Sequence, residues 1–430
     1  MIIRNGREIG EVISGALLKS VMAEHLRDKP RRDALRAAYD NKRDILGRKR
    51  GAGLPNNRLA HGFARYIVTL SGGYLIGKPV AYTAKNGQEE ALENVLRAYR
   101  RADAGSVDAE LAKSAGIFGR GVELCFADRE ARPRLACLDP ENAFVVYDDT
   151  VARAPLFGVH MAPRLDMDGL ADGVIVTAYT AREIYTYCAP SLDALDRAEI
   201  QSVSAHFFGA VPMVEYWNNE DETGDFEQVQ TLIDAYDLLE SDRLNDKEQF
   251  VDALLVLTGV TMGEDEKGRT PGQQLRQDKV LCLPDRDCTA SFLARSLPEE
   301  DVEVLRRALK EDIHKFSMVP DLSDAQFAGN ASGVAMRYKL LGFEQLMCIK
   351  ERWFREALRE RLRLFASFME VKGAKRLDAD DVSMTFTRSL PVNELEIAQT
   401  VEAYHGIVPD ELLFTQVPFI TDVKDALSKR

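Results

Sequence analysis

The chain has 430 residues, of which 45% are hydrophobic and 29% charged, with a net charge of −13. That length exceeds one ordinary core and fits two to four domains, and the composition is that of a soluble globular protein. No apolar run approaches the roughly 20 residues that span a bilayer, and Met1-Ile-Ile-Arg-Asn-Gly-Arg-Glu lacks the apolar core of a signal peptide. No membrane role and synthesis in a cytoplasm are therefore expected. The acidic balance argues against a protein that reads nucleic acid through a basic face, but not against one that surrounds DNA without gripping it.

The charge is unevenly placed. Lys29 to Arg50 holds nine basic and three acidic residues, and Glu220 to Glu248 holds eleven acidic residues against Arg243 and Lys247 alone. The basic stretch reads as a charged surface or a contact for a scaffold.

Residues 1–222 mix helices and strands in an α+β pattern. Two basic helices precede Gly47. Pro55 to Val68 reads as a helix with Asn57 as N-cap, ending near Gly72-Gly73 and leading through Leu75 to Tyr82 into a strand. A helix follows over Gln88 to Ala102. Val122–Phe126 and Arg134–Leu138 form a hairpin around Asp128-Arg129-Glu130. Further short strands are expected near Phe144, Phe157, Val174, Ile184, Val203 and Val214.

From Asp225 the pattern changes. Phe226, Val229, Leu232, Ile233, Tyr236 and Leu239 make one apolar stripe on an acidic helix. Strands are expected at Leu254–Leu257 and Val280–Leu283, separated by a polar loop over Gly263 to Gly272. After Pro298, which suits a first helical turn, Val302, Leu305, Leu309, Ile313 and Phe316 mark a second helix. A polar loop at 319–332 then joins a very long helix over Gly333 to Met369, with Gly342 as a candidate bend. Val382, Met384 and Phe386 alternate as a half-buried strand, Asn393 caps a last helix, and Gly406 stops it.

Nothing in this order carries catalytic spacing. Cys125, Cys137, Cys188, Cys282, Cys288 and Cys348 form no C-x-x-C pair and read as reduced, mostly buried residues. The six histidines are scattered, and there is no G-x-S-x-G elbow. Gly116-Ile-Phe-Gly-Arg-Gly lacks the lysine of a phosphate loop and reads as a tight helix-to-strand turn. Asn330-Ala-Ser matches a glycosylation acceptor by coincidence. No enzyme, cofactor or metal is expected.

The acidic run is either a solvated helix face or the lining of a passage. Duplex DNA carries one charge per about 1.7 Å of axis, and a basic wall would hold it at a Kd of roughly 10⁻⁴ to 10⁻⁶ M; an acidic wall leaves it free to slide. Arg337, Lys339, Lys350, Arg352, Arg355, Arg359, Arg361 and Arg363 on the long helix pair either along that helix, as Glu351 with Arg355, or between copies of the chain.

Three segments carry a family resemblance. They are Asn57-Arg-Leu-Ala-His-Gly-Phe-Ala-Arg-Tyr-Ile-Val with Gly73-Tyr-Leu-Ile-Gly-Lys-Pro-Val, then Ile233-Asp-Ala-Tyr-Asp-Leu-Leu-Glu-Ser-Asp-Arg-Leu-Asn-Asp ahead of Leu254-Leu-Val-Leu-Thr-Gly, and finally Val319-Pro-Asp-Leu with Asn330-Ala-Ser-Gly-Val-Ala and Lys339-Leu-Leu-Gly. In this order the chain resembles the tailed-bacteriophage portal proteins of siphophages of Gram-positive hosts. The resemblance implies a portal-like α+β fold, with an α+β wing over 1–224, a first stem helix at 225–249, a clip at 250–297 and a second stem helix at 298–318. A tunnel loop at 319–332, a long wing helix at 333–369, a wing strand at 370–392 and a short crown at 393–430 follow.

It implies a ring of twelve subunits at one capsid vertex, through which double-stranded DNA enters and leaves. Expected partners are the large terminase subunit, head-tail connector proteins, scaffold and major capsid protein, in the virion and in the host cytoplasm during assembly. The expected DNA-facing loop residues are Pro320, Asp321, Leu322, Gln326 and Phe327, hinged at Gly329 and Gly333. Asp234, Asp237, Glu240 and Asp242 would line the stem, and Glu264, Asp265, Glu266 and Arg269 would meet the motor or connector. A self-associating helical adaptor or scaffold without DNA passage is the alternative; an enzyme with a dispersed site is a weaker third reading.

Overall fold

The computed structural model describes residues 1–7, 9–10, 12–51, 54–251, 254–258, 289–293, 299–323, 338–388, 394–409 and 413. The chain divides into two compact units, one of residues 1–41, 62–230 and 314–430 and one of residues 42–61 and 231–313.

The first unit is built on a six-stranded sheet. β1 (Ile2–Arg4) runs parallel to β5 (Ala143–Asp148), and β6 (Pro155–Leu165), β7 (Ala171–Tyr179), β8 (Glu183–Ala189) and β9 (Ile200–Ala205) continue it as an antiparallel meander. Helix α1 (Gly15–Arg27) is capped by Ser14, whose Oγ accepts from the Leu17 N–H at 3.2 Å, and Pro30 opens α2 (Lys29–Tyr39). Leu18, Val21 and Met22 of α1 bury against Phe144, Val146, Phe157, Val159 and Tyr187 of the sheet.

His25 shows how tightly that seam closes. Its ring stacks on Phe144 at 4.4 Å, and its Nε2 lies 2.9 Å from the Glu141 carbonyl. A carbonyl can only accept, so Nε2 carries the proton and Nδ1 faces the Arg120 guanidinium at 3.3 Å. Burial first, then the charges of Arg120 and Arg32, push the imidazole down from 6.5 to about 3.

A second sheet, β10 (Met213–Trp217), β3 (Arg120–Ala127) and β4 (Pro133–Leu138), confirms the expected hairpin and the strand near Val214. The strands expected near Phe144, Phe157, Val174, Ile184 and Val203 are likewise present. Buried Glu215 joins the two sheets: its carboxylate accepts from the Val145 N–H at 3.1 Å and the Tyr147 hydroxyl at 3.0 Å.

Helix α3 (Phe63–Ile76) departs from expectation at both ends. It starts at Phe63 rather than near Asn57, and it runs through Gly72 and Gly73, so the following strand is only β2 (Ala81–Ala84). Helix α4 (Glu89–Ala102) matches its expected span. Helix α5 (Ala104–Phe118) was not legible: its exposed stripe is Gly105, Ser106, Ala109, Glu110 and Lys113 and its buried face holds Asp108, so small residues outside and a charge inside blur the hydropathy period. Its end confirms the tight turn. Gly119 sits at φ +84°, and a Cβ there would lie 1.9 Å from the Glu222 carbonyl oxygen.

β13 (Val382–Thr385) pairs antiparallel with β2, and Val382 and Met384 are its buried positions, as the alternation predicts. Helix α8 (Leu341–Val371), 31 residues and about 46 Å long, begins just after a break in helical structure at Leu340, so Gly342 lies in its first turn rather than at a mid-helix bend. Phe343, Met347, Lys350, Phe354, Leu358, Arg361 and Phe365 form its buried stripe at three- and four-residue spacing. The last described helix of this unit, α9 (Glu394–Tyr404), is followed by Gly406 at φ +80°. Asn393 lies outside the described residues.

Two stripe members are charged. The Arg361 Nη2 lies 2.6 Å from Asp108 and 2.8 Å from Glu123, and its Nε donates to Glu123 at 2.9 Å. The Tyr216 hydroxyl donates to the same Glu123 at 2.8 Å. Burial raises both carboxyls above their ordinary values, and the Arg361 charge offsets only part of that rise. Lys350 pairs with buried Asp225 at 2.6 Å. Other bases of the helix pair within the chain, Arg355 with Glu351 and Arg363 with Glu360 and Asp380. Arg337 lies outside the described residues. Among the four described cysteines only Cys125 is buried, so the expected burial fails for Cys137, Cys188 and Cys348.

Two outcomes follow from these buried charges. Arg361→Ala leaves Glu123 and Asp108 uncompensated and is expected to cost about 3–5 kcal/mol in urea unfolding. The folded pKa of His25 is depressed, so below pH 6.5 the unfolded chain takes up a proton that the folded chain refuses. Wild-type stability is expected to fall by about 3 kcal/mol from this group between pH 6.5 and pH 4, and the His25→Gln variant should lose that part of the slope in pH-dependent melts.

Candidate functional site

The second unit holds most of the acidic run. Its first helix, α6 (Gln230–Val251), buries Ile233 and Tyr236 as expected, but the stripe continues as Asp237, Ser241 and Asn245, all three without exposed surface. Buried polar groups need hydrogen-bond partners, and here the partner is residues 55–61, whose sequence predicts the start of a helix. Residues 55–61 lie along α6 in the opposite direction. The Asn57 N–H donates to Asn245 Oδ1 at 2.5 Å, the Leu59 N–H to Ser241 Oγ at 2.9 Å, and the His61 N–H to Asp237 Oδ1 at 2.9 Å.

Alternate N–H groups of the strap meet every fourth residue of the helix. The spacings match because two residues of extended chain advance about 6.6 Å and four helical residues about 6.0 Å. Asn57 cannot act as a helix N-cap here: its N–H and its carbonyl both face Asn245, and its side chain donates to Glu248 at 2.5 Å.

Arginines from the basic stretch complete the contact. Arg43 bonds Asp234 and lies 3.0 Å from Asp237, and Arg48 and Arg50 reach Asp242 at 2.7 and 2.9 Å. His61 Nδ1 is 2.7 Å from Asp237, which makes an aspartate–histidine pair. The nearby Ser241 is no nucleophile for it: its hydroxyl donates to the Asp237 carbonyl at 2.6 Å while accepting from Leu59. Among the described residues no group of three or more metal-binding side chains converges.

The second helix, α7 (Glu299–Ser317), takes up the two bases of the acidic run. Arg243 donates to Glu299 at 2.9 Å and to Glu303 at 3.1 Å, and Lys247 lies 3.2 Å from Glu299. Arg306 donates to the Tyr236 hydroxyl at 3.2 Å. β11 (Leu254–Thr258) confirms the strand expected there and pairs antiparallel with β12 (Thr289–Leu293). The strand expected at Val280–Leu283 and the loop at Gly263–Gly272 lie outside the described residues.

The four expected lining residues therefore differ from one another. Asp234 is 60% exposed beside Arg43, whereas the Asp237 side chain is 0% exposed and cannot face a passage. That corrects the expectation for Asp237: the strap and Arg43 cover it from outside the helix. Glu240 sits 3.6 Å from Arg243, and Asp242 is shared by Arg48 and Arg50. The basic stretch is spent on the chain's own acids rather than left as a bare surface. In the first unit it does the same: Arg31 holds Glu227 at 2.6 Å, and Arg36 reaches Glu141 at 3.0 Å.

The start of the expected loop is anchored in the first unit. The Tyr66 hydroxyl donates to the Pro320 carbonyl at 2.7 Å and accepts from the Leu322 N–H at 3.0 Å. Asp321 Oδ1 accepts from the Ser323 N–H at 3.0 Å, closing an Asx turn, and the Leu322 side chain is exposed. Gln326, Phe327, Gly329, Gly333, Glu264, Asp265, Glu266 and Arg269 lie outside the described residues.

Comparison with known proteins adds a family. Residues 18–429 match the family described as phage portal protein, SPP1 Gp6-like. The portal protein of Bacillus phage SPP1 is 25% identical over 393 residues, covering 87% of this chain and 75% of that protein. The portal protein of Clostridium phage phiCD119 is 23% identical over 418 residues, covering 90% and 89%. A chain in the virion of a native gene transfer agent particle is similar at a TM-score of 0.44 and 11% identity, with 90% of this chain and 93% of that one covered.

The contrast between two neighbouring acids on α6 can be measured. Asp237→Ala leaves Arg43 without its buried partner and is expected to cost about 3–5 kcal/mol. Asp234→Ala, at an exposed pair with the same arginine, is expected to cost about 1 kcal/mol or less. Parallel urea melts of the two variants check the difference.

Proposed function

Because the chain belongs to the SPP1 Gp6-like family of phage portal proteins, we propose that twelve copies form a ring at one capsid vertex and that double-stranded DNA passes through its centre. In this reading α6 and α7 are the stem helices, and residues 250–297 are the clip. Glu264, Asp265, Glu266 and Arg269 meet the large terminase subunit during packaging and head-tail connector proteins afterwards. The loop at 319–332 projects toward DNA through Pro320, Asp321, Leu322, Gln326 and Phe327 and bends at Gly329 and Gly333. Scaffold and major capsid protein join the ring during assembly in the host cytoplasm. The role is structural, with the chemical work left to the motor.

One observation carries the assembly part of this reading. In the second unit, Leu238 and Leu244 of α6 and Val304 and Leu305 of α7 are exposed apolar side chains, Val304 at 68%. Covering such surface gains roughly 25 cal/mol per Å², and a head-to-tail contact repeated around an axis covers it in every copy. The stem lining is proposed in reduced form. Asp234 remains a residue that faces the duplex, and Glu240 and Asp242 do so only as members of ion pairs.

Negative-stain electron microscopy of the purified protein tests the proposal. Rings with a hole wide enough for a duplex are expected; assemblies with a closed centre favour the adaptor without DNA passage, and monomers alone overturn both. Val304→Asp places a charge in the proposed contact. It is expected to shift the protein from rings to smaller species in size-exclusion chromatography with light scattering, with the fold of the single chain retained.

A further inference from the structure

We propose that residues 43–50 and 55–61 together form a releasable strap that masks the acidic face of α6, and that the strap lifts as a local opening while α6 stays helical. The proposal concerns one chain and does not depend on how copies assemble.

The chemistry of the contact separates the strap from a welded part of the core. Its acceptors on the helix are side chains, Asp237, Ser241 and Asn245, so lifting the strap removes none of the backbone hydrogen bonds of α6. The strap binds mainly through polar groups: three backbone N–H groups, the side chains of Asn57 and His61 and three arginines, with the His61 ring edge-on to Tyr236 at 4.9 Å. Pro55, Asn56, Asn57, Leu59, Ala60 and His61 are only half-buried, and Arg58 is exposed. Water can replace each of these hydrogen bonds, which is why a typical one contributes little net free energy. Segments with few buried apolar contacts open ahead of the fold that carries them.

Lifting has an electrostatic consequence. With the strap down, Arg43 compensates Asp234 and Asp237, and Arg48 and Arg50 compensate Asp242. With it up, three carboxylates on one helix lose their partners and face water together. The surface of α6 changes from nearly neutral to strongly acidic, the sign that repels a phosphate backbone. The strap is thus a mask that sets how much negative charge this helix displays.

Hydrogen–deuterium exchange on the full chain reads the opening directly. The N–H groups of Asn57, Leu59 and His61 are expected to be protected, yet to exchange faster than the interior amides of α6. Raising sodium chloride from about 0.1 M to about 1 M screens the arginine pairs and is expected to speed all three strap amides while leaving α6 unchanged. Ser241→Ala, a small substitution on a helix, is expected to speed Leu59 about five- to tenfold. Strap amides that exchange in step with α6 would mean that the segment is fixed structure. Amides that exchange as in an unfolded peptide would mean that the ladder does not form. Either result, or a Leu59 rate indifferent to Ser241→Ala, overturns the proposal.

Discussion

Arg361 has no exposed surface, and a guanidinium that cannot reach water must be given carboxylates in fixed positions. Glu123 on β3 and Asp108 on α5 supply them, and Tyr216 completes the coordination of Glu123. Three elements far apart in sequence meet at that point, so the arrangement of α8, α5 and β3 is set by charge as well as by packing. Lys350, eleven residues earlier on the same stripe, pairs with Asp225 and makes a second pin about 16 Å along the helix axis. Two such pins determine both the rotation of a long helix and its axial register. An apolar stripe alone repeats every turn and distinguishes registers less sharply. A buried ion pair adds little net stability over an apolar contact of the same shape, but a misplaced one is costly.

The same rule governs the rest of the charge. The basic residues of 29–50 and the acidic residues of 220–248 look like two separate surfaces when read in order. In the folded chain they are largely one set of contacts: Arg31 with Glu227 in the first unit, and Arg43, Arg48 and Arg50 with Asp234, Asp237 and Asp242 in the second. An acidic helix is therefore not by itself an acidic wall. What a passage would present to DNA depends on which carboxylates keep their partners, and the strap along α6 holds most of those partners.

Past Tyr236, α6 departs from a simple amphipathic helix. Asp237, Ser241 and Asn245 are inside, while Leu238 and Leu244 are outside. The inside is tolerable because Asn57, Leu59 and His61 each donate a backbone N–H to one of these polar side chains. The outside is tolerable in an assembly that covers it. In the proposed ring, α6 would bury polar groups within its own chain and show leucine to its neighbours.

Much of the architecture was readable from periodicity. Strict alternation located β13, and three- and four-residue spacing located α6 and α7. Those signals are local, because side chains repeat every two residues on a strand and every 3.6 on a helix. The family, too, was readable from three ordered segments. What the sequence could not decide was partnership. Asn57 before an apolar run has the form of a helix cap, and only α6, nearly 190 residues away, turns it into a rung of a ladder. Small residues on the exposed stripe of α5 and Asp108 on its buried face left that helix without a hydropathy period. Lys350 and Arg361 occupy stripe positions in plain view, but a charge at such a position is buried or exposed according to whether Asp225, Glu123 and Asp108 arrive to meet it. Pattern along a chain determines which face is apolar; the three-dimensional fold determines which charges find each other, because that energy depends on distance in space and on the exclusion of water rather than on order in sequence.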